Sequence, residues 1–174
     1  MTLVEVMVST TLAGFILAGV ISTFLFIGRS GANIANYADM EGEARVALEE
    51  FAQDTRQASD LDWLSSSSIQ LTVSGTTITY TYSSGAGTFT RTVGGTSTVL
   101  LEGIFSFAYG GYMITGATVD LTDLTTAAKR DAASAVTKQV QIYLKASRTS
   151  NTVTTATNTV LSARFILRNK RVSA

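Results

Sequence analysis

From Val6 to Gly28 the chain runs for 23 residues without a charged side chain, and most of them are apolar. A hydrocarbon layer of about 30 Å is crossed by roughly 20 apolar residues at 1.5 Å rise each. The run is therefore long enough to span a membrane, and Arg29 ends it. A secretory signal peptide fits poorly: there is no basic n-region, the apolar run is too long, and no small-residue cleavage site follows. A plain membrane anchor accounts for everything except Glu5. A carboxylate at the edge of an apolar span is costly and implies a partner, unless it simply sits at headgroup level.

The helical period continues past the apolar run. Ile34, Tyr37, Ala38, Ala44, Leu48, Phe51, Ala52, Thr55 and Ala58 recur at spacings of three and four, which makes one apolar stripe on an amphipathic helix. Glu41–Arg45, Arg45–Glu49 and Arg56–Asp60 lie at i,i+4 on its wetter side. No proline interrupts the segment. One helix is expected from residue 2 to about residue 60, on the order of 90 Å long. It should end in "SDLDWLSSSS", where the period is lost.

Beyond that point the period becomes two. "IQLTV" (69–73), "TTITYTY" (76–82), "TFTRTV" (88–93) and "STVLL" (97–101) alternate, and Ser74-Gly75, 83–87 and Gly94-Gly95 supply hairpin turns. Further strands are expected at 103–114, 137–147 and 160–169. The stretch 117–135 is expected to be a loop with a short helix around 124–134. The fold class expected is α+β: a long N-terminal helix packed by its amphipathic half on one face of an antiparallel β-sheet head. Three segments follow: 1–28, the apolar half of the helix; 29–62, its amphipathic half; and 63–174, the head.

Composition narrows the chemistry. The chain has no cysteine and no histidine, so thiol nucleophiles, disulfides and the commonest general base and metal ligand are all absent. Ser65–Ser68 have no base to activate them. The pairs Asp60/Asp62 and Asp120/Asp123 are weak calcium candidates and read better as solvated loops. Phe15, Phe24, Phe26, Tyr37 and Phe51 read as packing, not as an electron relay. Gly14 and Gly19 are five apart, which is not the four-residue spacing of the helix-packing motif. No catalytic site, metal site or cofactor is expected, and the chain reads as non-enzymatic.

The first residues, "MTLVEVMVSTTLAGFIL", resemble the mature N-terminus of the type IV pilins and the pseudopilins of type II secretion. The shared pattern is a hydrophobic residue, Thr, Leu, Val, Glu, then an apolar helix. "EARVALEEFAQDTRQAS", "TITYTYSSGAGTFTRTVGG" and the final "ARFILRN" are most similar to the minor-pilin and J-type pseudopilin branch. Three departures stand out: Met1 where phenylalanine is usual, Ser22 where many pilins have proline, and no C-terminal disulfide loop.

The resemblance implies a helical filament of copies of this chain or related pilins. A short leader would be cut before Met1 by a prepilin peptidase. The subunit would wait in the inner membrane and be raised by an assembly platform into a periplasmic or extracellular filament. Met1, Thr2 and Glu5 form the assembly site, with Glu5 pairing with the N-terminal amine of a neighbour. The helix is expected to unwind around Gly14, Gly19 and Ser22 once assembled. The alternatives are a minor pseudopilin at a secretion filament's tip, or a monotopic membrane-anchored β-domain that binds a ligand.

Charge is split along the chain. Residues 1–63 hold three arginines against nine acids, a net of −6; residues 64–174 hold ten bases against four acids, a net of +6. The acids of the helix, Asp39, Glu41, Glu43, Glu49, Glu50 and Asp54, are expected to face away from their own sheet. They would then pair across subunits with bases of the 91–171 region such as Arg164 and Arg168. Arg164, Arg168, Lys170 and Arg171 make a basic C-terminus, for which DNA contact is a weaker reading than subunit contact or solvation.

Overall fold

The structure is a computed structural model that describes residues 2–148 and 157–172. One helix, α1 (Leu3–Gln57), runs unbroken for 55 residues, about 80 Å at 1.5 Å each. Two antiparallel sheets follow. The first is a meander of five strands: β1 (Asp60–Ser65), β2 (Ser68–Val73), β3 (Thr76–Ser83), β4 (Thr88–Val93) and β5 (Thr96–Leu101). The second has four: β6 (Ile104–Tyr112), β7 (Thr118–Val119), β8 (Gln139–Arg148) and β9 (Thr157–Ile166), in the order β7-β6-β8-β9. A second helix, α2 (Ala127–Val136), links β7 to β8.

The turns follow local chemistry. Ser74-Gly75 and Gly94-Gly95 all have positive φ, as a two-residue hairpin turn with the right-handed strand twist requires. They join the register pairs Val73↔Thr76 and Val93↔Thr96.

The structure departs from the sequence expectation in four places. The head is two sheets, not one, because β5 and β6 are not paired with each other. The serine-rich segment after the helix is a strand: Leu61 and Trp63 point inward while Asp60, Asp62 and Leu64 point out. Ser66 and Ser67 then turn the chain into β2, with Ser65 paired to Ser68. The short helix lies at Ala127–Val136 and is N-capped by Thr126, whose side chain accepts from the Lys129 N–H. Finally, the buried stripe of α1 begins at Met40 and continues through Ala44, Ala47, Phe51 and Thr55. Ile34, Tyr37 and Ala38 lie beyond the end of the head and are exposed.

The core lies where α1 meets both sheets. Phe51 is fully buried, with its ring against Tyr80 of the first sheet at 4.9 Å and against Phe165 of the second at 5.3 Å. Trp63 is also buried; its indole N–H donates to Thr137 Oγ1 and its backbone N–H to Ser134 Oγ. Lys170, 5 % exposed, closes the lower end: its ammonium donates to the carbonyls of Leu61 and Ser134 and pairs with Asp60 at 2.8 Å.

One polar cluster sits inside this core. The Tyr80 hydroxyl donates to Asp54 at 2.7 Å, and Arg91 Nε donates to the same oxygen at 2.8 Å. Burial, and then the bond to Asp54, push the Tyr80 hydroxyl well above its ordinary pKa. Burial does the same for Tyr109. The folded chain therefore keeps two protons that the unfolded chain releases near pH 10. A group whose pKa is raised on folding stabilises the fold below its unfolded value, and that contribution is lost as pH rises. Urea midpoints should fall above about pH 10, and Tyr80→Phe should make that fall shallower. Equal slopes for the two proteins would contradict this assignment.

Candidate functional site

Ala32, Asn33 and Asn36 are half-buried, whereas the residues from Leu3 to Gly31, before them on the helix, are all exposed and form an arm. Its apolar side chains project all round it: Leu3 is 79 % exposed, Phe15 73 % and Phe26 73 %. Among the described residues, this is the one helix long and apolar enough to cross a membrane. So much contiguous apolar surface is unfavourable in water, and it marks a lipid or protein contact. The helix also hides its own polar groups. The hydroxyls of Thr10, Thr11 and Thr23 donate to the carbonyls of Val6, Met7 and Gly19, one turn back. No hydroxyl of these three needs water, which suits an apolar surrounding.

Glu5 has a local partner that the sequence reading missed. Its Oε2 accepts from the Thr2 backbone N–H at 2.8 Å, while its own N–H donates to Thr2 Oγ1 at 3.3 Å. Thr2 is the N-cap, so the two form a capping box. The signal was present in the sequence as Thr-x-x-Glu at the start of an apolar helix. Met1, the third member of the expected assembly site, lies outside the described residues.

Gly14, Gly19 and Ser22 lie inside unbroken helix in this single chain. A methyl group added at Gly14 or Gly19 would meet nothing within 4 Å. Packing within the chain therefore does not demand glycine at either position. Each glycine costs about 1 kcal/mol of helix stability relative to alanine. Gly14→Ala and Gly19→Ala should raise the helicity of the isolated subunit by circular dichroism. If unwinding or close helix contact belongs to the assembled state, the same double variant should assemble poorly. Normal assembly by the double variant would remove both roles.

The helix acids divide into two groups, which corrects the expectation that all of them face away from their own sheet. Asp54 pairs with Arg91, and Glu50 Oε2 lies 4.0 Å from the same Arg91 Nε. Nη2 of Arg148, at the end of β8, is 2.9 Å from both carboxylate oxygens of Glu43. The reason is geometric: α1 lies between the two sheets, so acids that flank its buried stripe reach bases on either side. Glu49 pairs with Arg45 along the exposed face of the helix. Asp39 and Glu41 are exposed and make no ion pair among the described residues.

The bases are equally divided. The Arg164 guanidinium lies 3.6 Å over the Tyr112 ring and donates to Gln141 Oε1. Arg168 and Arg171 are exposed, but Lys170 between them points into the core. The basic C-terminus is thus not one continuous charged patch. Exposed pairs such as Arg45–Glu49 contribute little, because water and salt screen them. The more protected Asp54 cluster matters more. Asp54→Ala leaves Arg91 and the buried Tyr80 hydroxyl without their acceptor and should cost about 2–3 kcal/mol; a urea midpoint unchanged from wild type would refute it.

Most of the remaining candidates have structural partners; Asp62 lies on the outer face of β1, where partial burial and then Asp60 hold its carboxyl above the usual range. Asp60 is held by Lys170. Asp120 accepts from Thr122 and Asp123 accepts from Thr125, each from both the N–H and the hydroxyl, and Asp123 also pairs with Lys129. Ser65 and Ser67 bond each other, and Ser68 bonds Thr81 across the sheet. Among the described residues no group of three or more His, Cys, Asp or Glu is placed to hold a metal. Of the five aromatics singled out in the sequence, Phe51 is core packing, whereas Phe15, Phe24 and Phe26 stand exposed on the arm and Tyr37 on the helix beyond it. No family model matches this chain, and no curated protein matches it.

Proposed function

We propose that this chain is a non-catalytic structural subunit of a type IV pilus-like filament, assembling through its apolar arm. The observation that supports it best is the arm itself, with 3–28 an exposed apolar stretch of one unbroken helix that continues into a packed head and carries one carboxylate near its tip. The same apolar surface serves as a membrane anchor before assembly and as filament core afterwards. In that core Glu5 pairs with the N-terminal amine of a neighbour, as the resemblance of the first residues implies. An unpaired carboxylate or ammonium in a dry helix bundle costs several kcal/mol, so the pair favours one axial register. Its role is specificity more than net stability. A prepilin peptidase, an assembly platform and the inner membrane are the partners this reading requires. A tip position in a secretion pseudopilus is the same reading with a different filament.

Removal of detergent from the purified mature chain should yield filaments visible by electron microscopy. Single anchored subunits in added lipid, with no filament at any concentration, would count against it. The capping box favours one competing reading, a monotopic anchored β-domain, because it gives Glu5 a role inside its own helix. Asp39, Glu41 and Arg168 are exposed with no ion pair among the described residues and are the charges left to meet neighbouring heads in the filament; Glu49 and Arg164 would have to give up Arg45 and the Tyr112–Gln141 contacts to join them.

A further inference from the structure

The second sheet has an open edge inside a cleft. β6 is bonded to β8 along one side from Ile104 to Tyr112. On its other side β7 covers only Gly111 and Tyr112, in the pairs Gly111↔Val119 and Tyr112↔Thr118. In an antiparallel ladder the N–H and C=O of one residue both turn to one neighbour, and those of the next residue turn to the other. The Tyr112 carbonyl accepts from the Lys138 N–H on the β8 side, while the Met113 N–H donates to the Ala117 carbonyl on the β7 side. Counting back by twos, Gly111, Tyr109 and Phe107 turn their main-chain groups away from β8. Gly111 finds Val119. Phe107 and Tyr109 face no strand and have no backbone partner on that side among the described residues.

Both ends of this gap are closed. The Ile104 N–H donates to the Gly87 carbonyl at 2.9 Å, and its carbonyl accepts from the Tyr82 hydroxyl at 3.3 Å. At the other end, a Cβ added to Gly111 would lie 3.2 Å from both Trp63 and Val119, so the sheet is tightly packed there. Between them lies a cleft of about 960 Å³, floored by Phe107 and Tyr109 and walled by Tyr82, Ser66, Ser67 and Asp120. Tyr82 and Phe107 stack at 4.7 Å with 17° between their planes, giving a flat apolar surface. Among the described residues Asp120 is the one charged residue of the lining, and bonds from Thr122 hold its carboxyl below the usual range.

We propose that this stretch of β6 is a strand-addition site for an extended, cationic peptide segment of another polypeptide. Four unpaired main-chain groups supply the bonds, and an unpaired strand edge is a ready template for them. β7 occupies the same edge one pair further on and leaves it after Val119, with Asp120 to Thr122 turning into the cleft wall; beyond that point a guest strand takes the place at about 4.8 Å from β6. Two guest residues, i and i+2, bond Tyr109 and Phe107. The guest's side chains alternate between the Tyr82–Phe107 surface and solvent. Because main-chain groups make the bonds, the site tolerates varied sequence, while Asp120 selects for positive charge. This inference does not depend on filament assembly.

Amide hydrogen exchange of the full-length chain in detergent micelles tests it, with the capped peptide Lys-Thr-Val-Thr-Val-Thr-Lys as probe. At saturation the amides of Phe107 and Tyr109 should exchange at least about tenfold more slowly, as newly bonded amides do. Ala108 and Gly110, already bonded to β8, should not change. The same peptide N-methylated at alternate residues should give no protection. Asp120→Asn, which keeps the acceptor for Thr122, should weaken binding about two- to fivefold at low salt, the range of one exposed charge pair. The proposal is overturned if Phe107 and Tyr109 are unaffected by the peptide. It is equally overturned if they are already as protected as Ala108 without it, which would show that the chain or a second copy closes the edge. Binding undiminished in Asp120→Asn would overturn the preference for cations.

Discussion

Glu5→Gln should abolish filament assembly while leaving the start of the helix intact. Glutamine at the third helical position still accepts from the Thr2 N–H, so the capping box survives. What it loses is the negative charge. A neighbour's ammonium then enters an apolar bundle without a counter-charge, at a cost of several kcal/mol. A loss of about 3 kcal/mol is more than a hundredfold in subunit affinity. Glu5→Ala loses the charge and the side-chain half of the box, the acceptor for the Thr2 N–H, while its own N–H still donates to Thr2 Oγ1, so it should fail to assemble in the same way and fray more at its first turn. Both variants should insert in membranes normally, because each makes the arm more apolar. The pair of substitutions separates the two roles of Glu5. If Glu5→Gln assembles at wild-type yield and Glu5→Ala does not, the residue is a cap and the amine-pairing reading fails.

Phe51→Ala should be the most destabilising single change in the head. Phe51 is fully buried, and its ring contacts Tyr80, Phe89, Tyr109 and Phe165. It is the point where the helix holds the two sheets together. Deleting such a ring removes its burial and leaves a cavity, together about 3–5 kcal/mol. Against a typical total of about 5–15 kcal/mol, that is enough to melt the head at moderate temperature. Trp63 is the one tryptophan in the chain and is buried beside Tyr109 at 5.8 Å. Its fluorescence therefore reports urea unfolding of the core directly. A loss below about 1 kcal/mol, the level of a surface change, would mean that Phe51 does not join the layers.

What the sequence made legible was local. The apolar run, the change of period from 3.6 to two, and the Ser-Gly and Gly-Gly turns mark out β2 to β5 to within one residue and α1 to within three. β1 was hidden because residues 60–65 alternate over too few positions to compete with the serines that follow. The division into two sheets was hidden for a different reason. It is decided by which strands pair, and the link between β5 and β6, Glu102-Gly103, reads in the sequence like one more glycine turn although Gly103, at positive φ, carries the chain into the other sheet. The ion pairs were hidden by distance along the chain. Glu43 and Arg148 are 105 residues apart, and Asp54 and Arg91 are 37 apart. No local pattern relates them; the helix lying between the two sheets does. The Thr2–Glu5 box, by contrast, is fully local: Thr-x-x-Glu carries both a cap and a charge, and the residue types alone do not say which of the two Glu5 serves. The open edge of β6 follows from the shortness of β7, two residues long, which no propensity indicates.

The central claim is that the arm is a filament core with Glu5 setting its register. A cryo-electron microscopy map of the assembled chain, at a resolution that shows side chains, measures this most directly. Arms bundled at the filament axis are expected, with each Glu5 carboxylate within about 4 Å of a neighbour's N-terminal nitrogen, the limit of an ion pair. Assemblies held together by their heads, with the arms in lipid and Glu5 bonded only to its own Thr2, would contradict it.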